Sequence, residues 1–513
     1  MKRLLYFSVF LLLTLSWLNP FSPGPSPGVV PLMVSWLCAI FVWVVAVWCK
    51  LPVRQLVPAA ACTWVMAGLV SCIVGLLQYF GAAADISPWI NPTRYGEAFA
   101  NLRQRNQFAT LTSISLSALV WLMVQNSKPQ PKSDKSTGLT IFWGCLAASL
   151  LMVGNAVSSS RTGLFQLVLL CVLCGLWVQW RQRGVRWVML CAVSAYALAA
   201  FAMPYLAGLD VASHGAFARL GKDEACSSRL VLWSNVLHLI AQKPWMGWGW
   251  GELDFAHFIT LYDGPRFCDI LDNAHNLPLH LAVELGVPVA LLVCGGFGWW
   301  VLRQKPWAER DATRQMAWAV LAVILLHSML EYPLWYGPFQ IAFVLCLVIL
   351  WRMPTSVVNT KNDAKYASKM PLAHVNIAQT AIITIAFTAA LTAIFYAAWD
   401  YHRVSQIYLQ PEARHAAYQV DTLAQARKSW LFADQALFAE LILTPLTPAT
   451  ALQVYASAGH LLHYSPEPRV VEKLIESAVM MGKDAEALAY LMRFKAAFPK
   501  EHAAWSKSNS NAL

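Results

Sequence analysis

Long apolar runs separated by short polar stretches recur along the first 399 residues of this chain. They fall near 4–20, 29–49, 56–80, 108–125, 139–157, 164–180, 185–206, 277–302, 316–330, 338–351 and 375–399. A helix needs about 20 residues to cross roughly 30 Å of hydrocarbon, so the pattern predicts about eleven membrane-spanning helices. The two shortest, 316–330 and 338–351, either extend toward each other through Glu331 to Gly337 or form a broken pair. No small-x-small cleavage site follows the first run, which is therefore expected to remain as a span. From residue 400 onward the pattern changes. Ala485, Leu488, Ala489, Met492 and Phe498 recur at helical spacing with charge between them, as in amphipathic helices, and Pro445, Pro448, Pro466 and Pro499 mark helix boundaries. The predicted fold is all-α: a polytopic membrane domain over 1–399 and a helical domain over 400–513. Ala485 to Pro499 looks like half of a tetratricopeptide-type (TPR-like) hairpin, although no second copy follows at a fixed period.

Composition rules out an ordinary soluble domain. The chain is 58% hydrophobic and 13% charged, with a mean hydropathy of +0.48, and a soluble fold could not hide that much apolar surface. Placing the N terminus in the cytoplasm puts eighteen of the 38 lysines and arginines on the inner side, against nine in the opposite loops before residue 400. This positive-inside bias explains much of the net charge of +11 without nucleic acid. No basic stripe interleaved with stacking aromatics is present, as a nucleic-acid groove would need. An odd number of spans then places the loop 207–276 and the tail 400–513 outside. Ten of the twelve cysteines lie in predicted spans, where a thiol behaves as a small apolar side chain. Cys171 and Cys174 form a CxxC there, away from its usual soluble context. Cys226 and Cys268 lie in the outer loop, where an oxidising compartment leaves open both a disulfide and two free thiols.

Polar residues at the outer ends of the spans are the candidates for chemistry. Arg161 lies in Ser158-Ser159-Ser160-Arg161-Thr162-Gly163, where hydroxyls and backbone N–H groups at a helix start suit an anion; snorkelling to the interface is the plainer alternative. Arg229 opens an amphipathic stretch that leads to Lys243-Pro244-Trp245-Met246-Gly247-Trp248-Gly249-Trp250-Gly251. Indoles alternating with glycine suit contact with a sugar or headgroup, and Trp248 and Trp250 equally suit simple anchoring at the membrane boundary. His275 stands in Asp272-Asn273-Ala274-His275-Asn276, ahead of a run that carries Glu284. Near neutral pH an imidazole takes a proton from a hydroxyl or, when charged, holds a phosphate. His327 and Glu331 form an i, i+4 pair followed by Tyr332-Pro333-Leu334-Trp335-Tyr336; two ligands without a third make a weak zinc signal. All these positions gather at one face. A transporter would instead place broken helices near the bilayer midplane.

Their order resembles that of a known superfamily. Asn101-Leu102-Arg103-Gln104-Arg105-Asn106-Gln107-Phe108-Ala109-Thr110, Ser160-Arg161-Thr162-Gly163, Ser228-Arg229, Pro244-x-x-Gly247-x-Gly249, and Ala274-His275-Asn276 leading to Glu284-Leu285-Gly286 resemble the O-antigen ligase and polymerase superfamily over residues 90–350. His327 with Glu331-Tyr332-Pro333-Leu334, and the helical tail, resemble its protein O-oligosaccharyltransferases, the pilin glycosylation ligases (PglL-like). Ala100 departs from the pattern, standing where the family has glycine. The resemblance implies a GT-C-like membrane fold and a glycosyltransferase of the Gram-negative inner membrane working on the periplasmic face without cofactor or metal. It would move a preassembled glycan from undecaprenyl diphosphate to a Ser or Thr hydroxyl of an acceptor such as a type IV pilin. Arg161 and Arg229 would bind the diphosphate, Gln104 and Asn106 would orient the glycan or phosphate, and His275 would act as base or diphosphate ligand. Asn276, His327, Glu331, Tyr332, Trp248 and Trp250 would position acceptor or glycan. An O-antigen ligase acting on lipid A-core and an O-antigen polymerase share the same motifs.

Overall fold

The computed structural model describes residues 2–49, 51–127, 134–210, 226–353 and 377–510. Part of the outer loop and the start of the predicted span 375–399 lie outside the described residues. Among the described residues every regular element is helical and none is a strand. Seven helices among the described residues are long and apolar enough to cross a membrane: Val29–Trp48, Val53–Tyr79, Arg105–Asn126, Thr137–Val157, Arg183–Leu206, Val287–Ala308 and Ala381–Tyr408. Leu4–Leu18, Arg161–Leu176 and Gly337–Arg352 are apolar but shorter, and Ala312–Ser328 occupies the remaining predicted run. The chain is thus a multi-pass, all-helical membrane protein.

One predicted span is corrected. The run 277–302 is not a single helix: Leu277–Leu285 ends at Gly286, whose φ of 90° leaves the helical region, and a new helix starts at Val287 with Pro288 in its first turn. Glycine reaches that backbone angle without strain, and a following proline has no N–H with which to continue the earlier ladder. The helix long enough to cross therefore begins ten residues later than the hydropathy suggested.

The chain divides into two compact units, Met1–Ser22 with Pro27–Lys222 and Val301–Ile394, and Pro23–Ser26 with Asp223–Trp300 and Phe395–Leu513. The first is built around Arg105–Asn126, in which sixteen of 22 residues are buried. Small hydroxyl residues let its neighbours come close. Thr110, Ser113 and Ser117 return their hydroxyl protons to carbonyls one turn back, which satisfies them inside the bundle. Gly68 lies so near Ser115 that a Cβ there would sit 2.2 Å from its Oγ, the close approach that small residues permit between membrane helices.

In the second unit, Arg229–Gln242 packs on Leu277–Leu285 through Leu232, Val236, Leu239, Leu281 and Val283. The short helix Leu253–Ile259 inserts Phe258 among Leu441, Val454, Leu461, Leu474 and Phe494 of the tail. Its partners close around it: Arg493 Nε donates to the Ile259 carbonyl at 2.8 Å, and the His463 ring stacks on Phe255 at 3.7 Å. The tail helices Ala433–Leu443, Ala451–Leu461, Pro468–Met480, Asp484–Ala497 and Pro499–Ser510 pack each on the next. Pro499 opens the last of them, and Pro445, Pro448 and Pro466 lie between helices.

Candidate functional site

Three motif segments are helix starts. Ser160 Oγ accepts from the Gly163 N–H at 3.1 Å, making Arg161 the first residue of its helix. Ser228 Oγ accepts from the Val231 N–H at 3.3 Å, giving Arg229 the same place in the helix Arg229–Gln242. Asn276 Oδ1 accepts from the Leu279 N–H at 3.1 Å and caps Leu277–Leu285, with His275 just before it. A cation at a helix N terminus opposes the macrodipole, so helix stability does not explain either arginine. The combination of guanidinium and positive dipole end suits an oxyanion. Asn276, expected to position acceptor or glycan, has its side-chain oxygen committed to the cap.

Backbone strain marks the same segments. Of the seven non-glycine residues with positive φ among the described residues, four lie in the motifs or beside them: Ala100 at 52°, Arg103 at 62°, Ser159 at 53° and His275 at 49°. Such angles cost non-glycine residues of order 1–3 kcal/mol and persist where the surroundings enforce them. At His275 the backbone N–H is held by Asn273 Oδ1 at 2.9 Å. At Ala100 the enforcing group is buried Gln78. Its Oε1 accepts from the N–H groups of Phe99 and Ala100 at 3.0 and 2.7 Å, and its Nε2 donates to the carbonyls of Asn91 and Ala100.

In the first unit the amides of Gln104 and Asn106 converge on one carboxylate. Gln104 Nε2 donates to Glu331 Oε2 and Asn106 Nδ2 to Glu331 Oε1, each at 3.2 Å. Asn106 Oδ1 accepts from the Ser160 hydroxyl at 2.6 Å, tying this group to the start of the Arg161 helix. A buried carboxylate between the two amides repels a diphosphate, so they suit neutral sugar hydroxyls better than phosphate oxygens. Thr110 donates its proton to the Asn106 carbonyl and accepts from Gln166, so the 2.9 Å contact with His327 places the ring proton on Nδ1. Among the described residues no three His, Cys, Asp or Glu side chains come together as metal ligands. Tyr332 stacks on Tyr336, with ring centroids 6.0 Å apart.

In the second unit the glycine turn and the Glu284-Leu285-Gly286 segment form one lock. The N–H groups of Trp248 and Gly249 donate to the carbonyls of Val283 and Glu284 at 2.8 and 2.9 Å, and that of Val287 donates to Pro244 at 2.8 Å. A Cβ on Gly247 would meet the Glu284 carbonyl at 2.3 Å, and one on Gly286 the Trp245 carbonyl at 2.1 Å, which is why both positions are glycine. Trp248 belongs to this packing rather than to a sugar platform: its indole N–H donates to Leu239 at 3.0 Å and Lys243 covers its ring at 3.9 Å. Trp250 is 61% exposed, with its ring meeting the buried His280 ring edge-on at 6.0 Å.

Cys226 and Cys268 are joined as a disulfide with Cα atoms 5.4 Å apart. It ties the chain just before Arg229 to the segment leading to Asp272. Beside it, burial pulls the His257 imidazole down to about 3; its Nε2–H donates to the Phe267 carbonyl while Nδ1 accepts from Tyr262. Burial pushes the Asp254 carboxyl up to about 7; the Phe255 N–H opposes the rise, and the charges of Asp272 and Glu252 add to it. Reasoning from sequence passed over Gln78 and Gln166. For Gln78 and Gln166 a signal existed, a lone amide inside an apolar run.

Comparison with known proteins finds three family matches. Residues 98–123 match a protein glycosylation ligase family, residues 146–294 an O-antigen ligase family, and residues 315–512 the C-terminal part of a virulence factor membrane-bound polymerase family. Gln104 and Asn106 fall in the first stretch, Arg161, Arg229 and His275 in the second, and His327, Glu331 and Tyr332 in the third. Two curated relatives come from Acinetobacter baylyi. The chain is 26% identical to a ComP-specific O-oligosaccharyltransferase over 272 residues, 53% of this chain and 46% of the relative. It is 22% identical to a general O-oligosaccharyltransferase over 298 residues, 55% and 48% of the two. The chain thus spans about half the length of the curated relatives it matches.

Proposed function

Since the chain belongs to the O-antigen ligase superfamily and lies on the side of the protein glycosylation ligases, we propose that it is a protein O-oligosaccharyltransferase. It moves a preassembled glycan from undecaprenyl diphosphate to a Ser or Thr hydroxyl of an acceptor such as a pilin, at the periplasmic face of a Gram-negative inner membrane. The observation that carries the reading is the repeated serine-capped helix start with arginine as first residue, at Arg161 and again at Arg229.

The chemistry assigns the parts. The acceptor oxygen attacks the anomeric carbon as its proton passes to the His275 imidazole, and the bond from that carbon to the diphosphate oxygen breaks. Negative charge grows on the departing lipid diphosphate, and guanidiniums fixed where it develops lower the barrier. Arg161 and Arg229 have that role. Gln104 and Asn106, with Glu331 between them, orient glycan hydroxyls, and Tyr332 with its stacked neighbour positions donor or acceptor.

Arg161→Ala and Arg229→Ala should each weaken donor use at least tenfold, with only partial rescue by Lys, which lacks the planar fork. Wild-type donor efficiency in either alanine variant would overturn the diphosphate role. A second reading, extension of one lipid-linked glycan by another, is favoured by the polymerase-type match over residues 315–512. Offering protein, lipid A-core and lipid-linked glycan as competing acceptors separates the readings by product mass.

A further inference from the structure

We infer that the turn at Trp430 and Leu431 is a wedge that dips into the lipid–water interface and seats the tail on the bilayer surface. The helix Ile377–Ser405 is apolar as far as Trp399 and turns polar at Asp400, so the membrane boundary falls there. Hardly any of its apolar stretch is buried within the chain, as expected of a helix facing lipid.

Asp400 itself is fully buried and serves as a clasp. Its Oδ2 accepts from the Ser429 hydroxyl at 2.9 Å and from the N–H groups of Trp430 and Leu431 at 3.2 and 3.0 Å. Its other oxygen pairs with Arg403, whose guanidinium also donates to the Lys428 carbonyl at 2.6 Å. Ala426 and Ala436, on either side of the turn, are buried with Val404. The backbone of the turn is therefore fixed at the end of the helix while its side chains point away. Trp430 is 75% and Leu431 44% exposed.

The surrounding chemistry is that of a bilayer boundary. Tyr396 lies between Trp399 and Trp430, with ring centroids 5.7 and 6.4 Å away. Arg403 sits over Trp399 at 4.5 Å, and exposed Lys428 flanks the turn. Tryptophan and tyrosine concentrate where hydrocarbon meets headgroups, and an exposed lysine beside them attracts lipid phosphates. Because the patch continues the lipid-facing surface of the crossing helix, its occupant is lipid rather than a protein partner.

The test places the photocrosslinking residue p-benzoylphenylalanine at position 430 of the full chain in phospholipid vesicles, with Leu452 as control because it is 67% exposed elsewhere on the tail. After irradiation, intact mass should show phospholipid adducts at 430 in at least tenfold greater yield than at 452. The same residue at position 431 provides a second variant should the first fail to accumulate. Absence of lipid adducts at both positions, equal yields at 430 and 452, or crosslinks to protein in place of lipid would overturn the inference.

Discussion

Substituting His275 separates its chemical role from its backbone role, because the two respond oppositely to the choice of side chain. If its imidazole takes the acceptor proton, removing it costs roughly 10²–10⁴-fold in rate, about 3–5 kcal/mol of barrier. The backbone at φ 49° costs a side-chain-bearing residue about 1–2 kcal/mol, which glycine avoids and asparagine tolerates better than most. The contact from the His275 N–H to Asn273 uses the main chain and survives every one of these changes. Thermal unfolding should therefore rank His275→Gly and His275→Asn at or slightly above wild type and His275→Ala within about 1 kcal/mol of it, while all three lose glycan transfer by about a hundredfold or more. The assay is single-turnover transfer in detergent or nanodiscs with unfolding followed in parallel. Transfer by His275→Asn within tenfold of wild type would refute the base assignment. So would losses that merely track a fall in melting temperature.

Gln78→Leu should destabilise the first unit by about 2–6 kcal/mol, since it strands the buried N–H groups of Phe99 and Ala100 at about 1–3 kcal/mol each; denaturant or thermal unfolding measures it. Replacing Cys226 and Cys268 with serine removes a cross-link across 42 residues, worth about 4 kcal/mol by chain entropy; alkylation of the unreduced wild type should label ten thiols, and labelling of all twelve would deny the bond. For pH, Asp254 has a folded pKa raised to about 7 from 3.8. Its contribution is thus fully present below about pH 4 and is lost as pH rises through about 7. Asp254→Asn should therefore be more stable than wild type at pH 8, with the advantage shrinking toward pH 5, when melting temperatures are compared across that range.

The membrane character was legible because apolar length is a direct consequence of bilayer thickness, and the motif order pointed to Arg161, Arg229 and His275 before any geometry. What a hydropathy pattern averages away was lost. Gly286 and Pro288 break the run 277–302 through local backbone geometry, and Trp248 spends on packing a ring that composition suggested for sugar. The clasp of Gln104 and Asn106 on Glu331 joins residues more than 220 positions apart, and Phe258 finds its core in the tail. Pairings at such separation leave no periodicity. The serine before Arg161 was legible as a helix start suited to an anion, and the same reading at Ser228 places Arg229 at an equivalent position.

The central claim is tested most directly by incubating the purified full chain with undecaprenyl-diphosphate-linked oligosaccharide and a candidate pilin, with lipid A-core also present, and weighing every product. The predicted result is protein gaining the mass of one intact glycan on a Ser or Thr, lost in His275→Asn. Glycan found only on lipid A-core or on another lipid-linked glycan, with the protein unmodified, would contradict it.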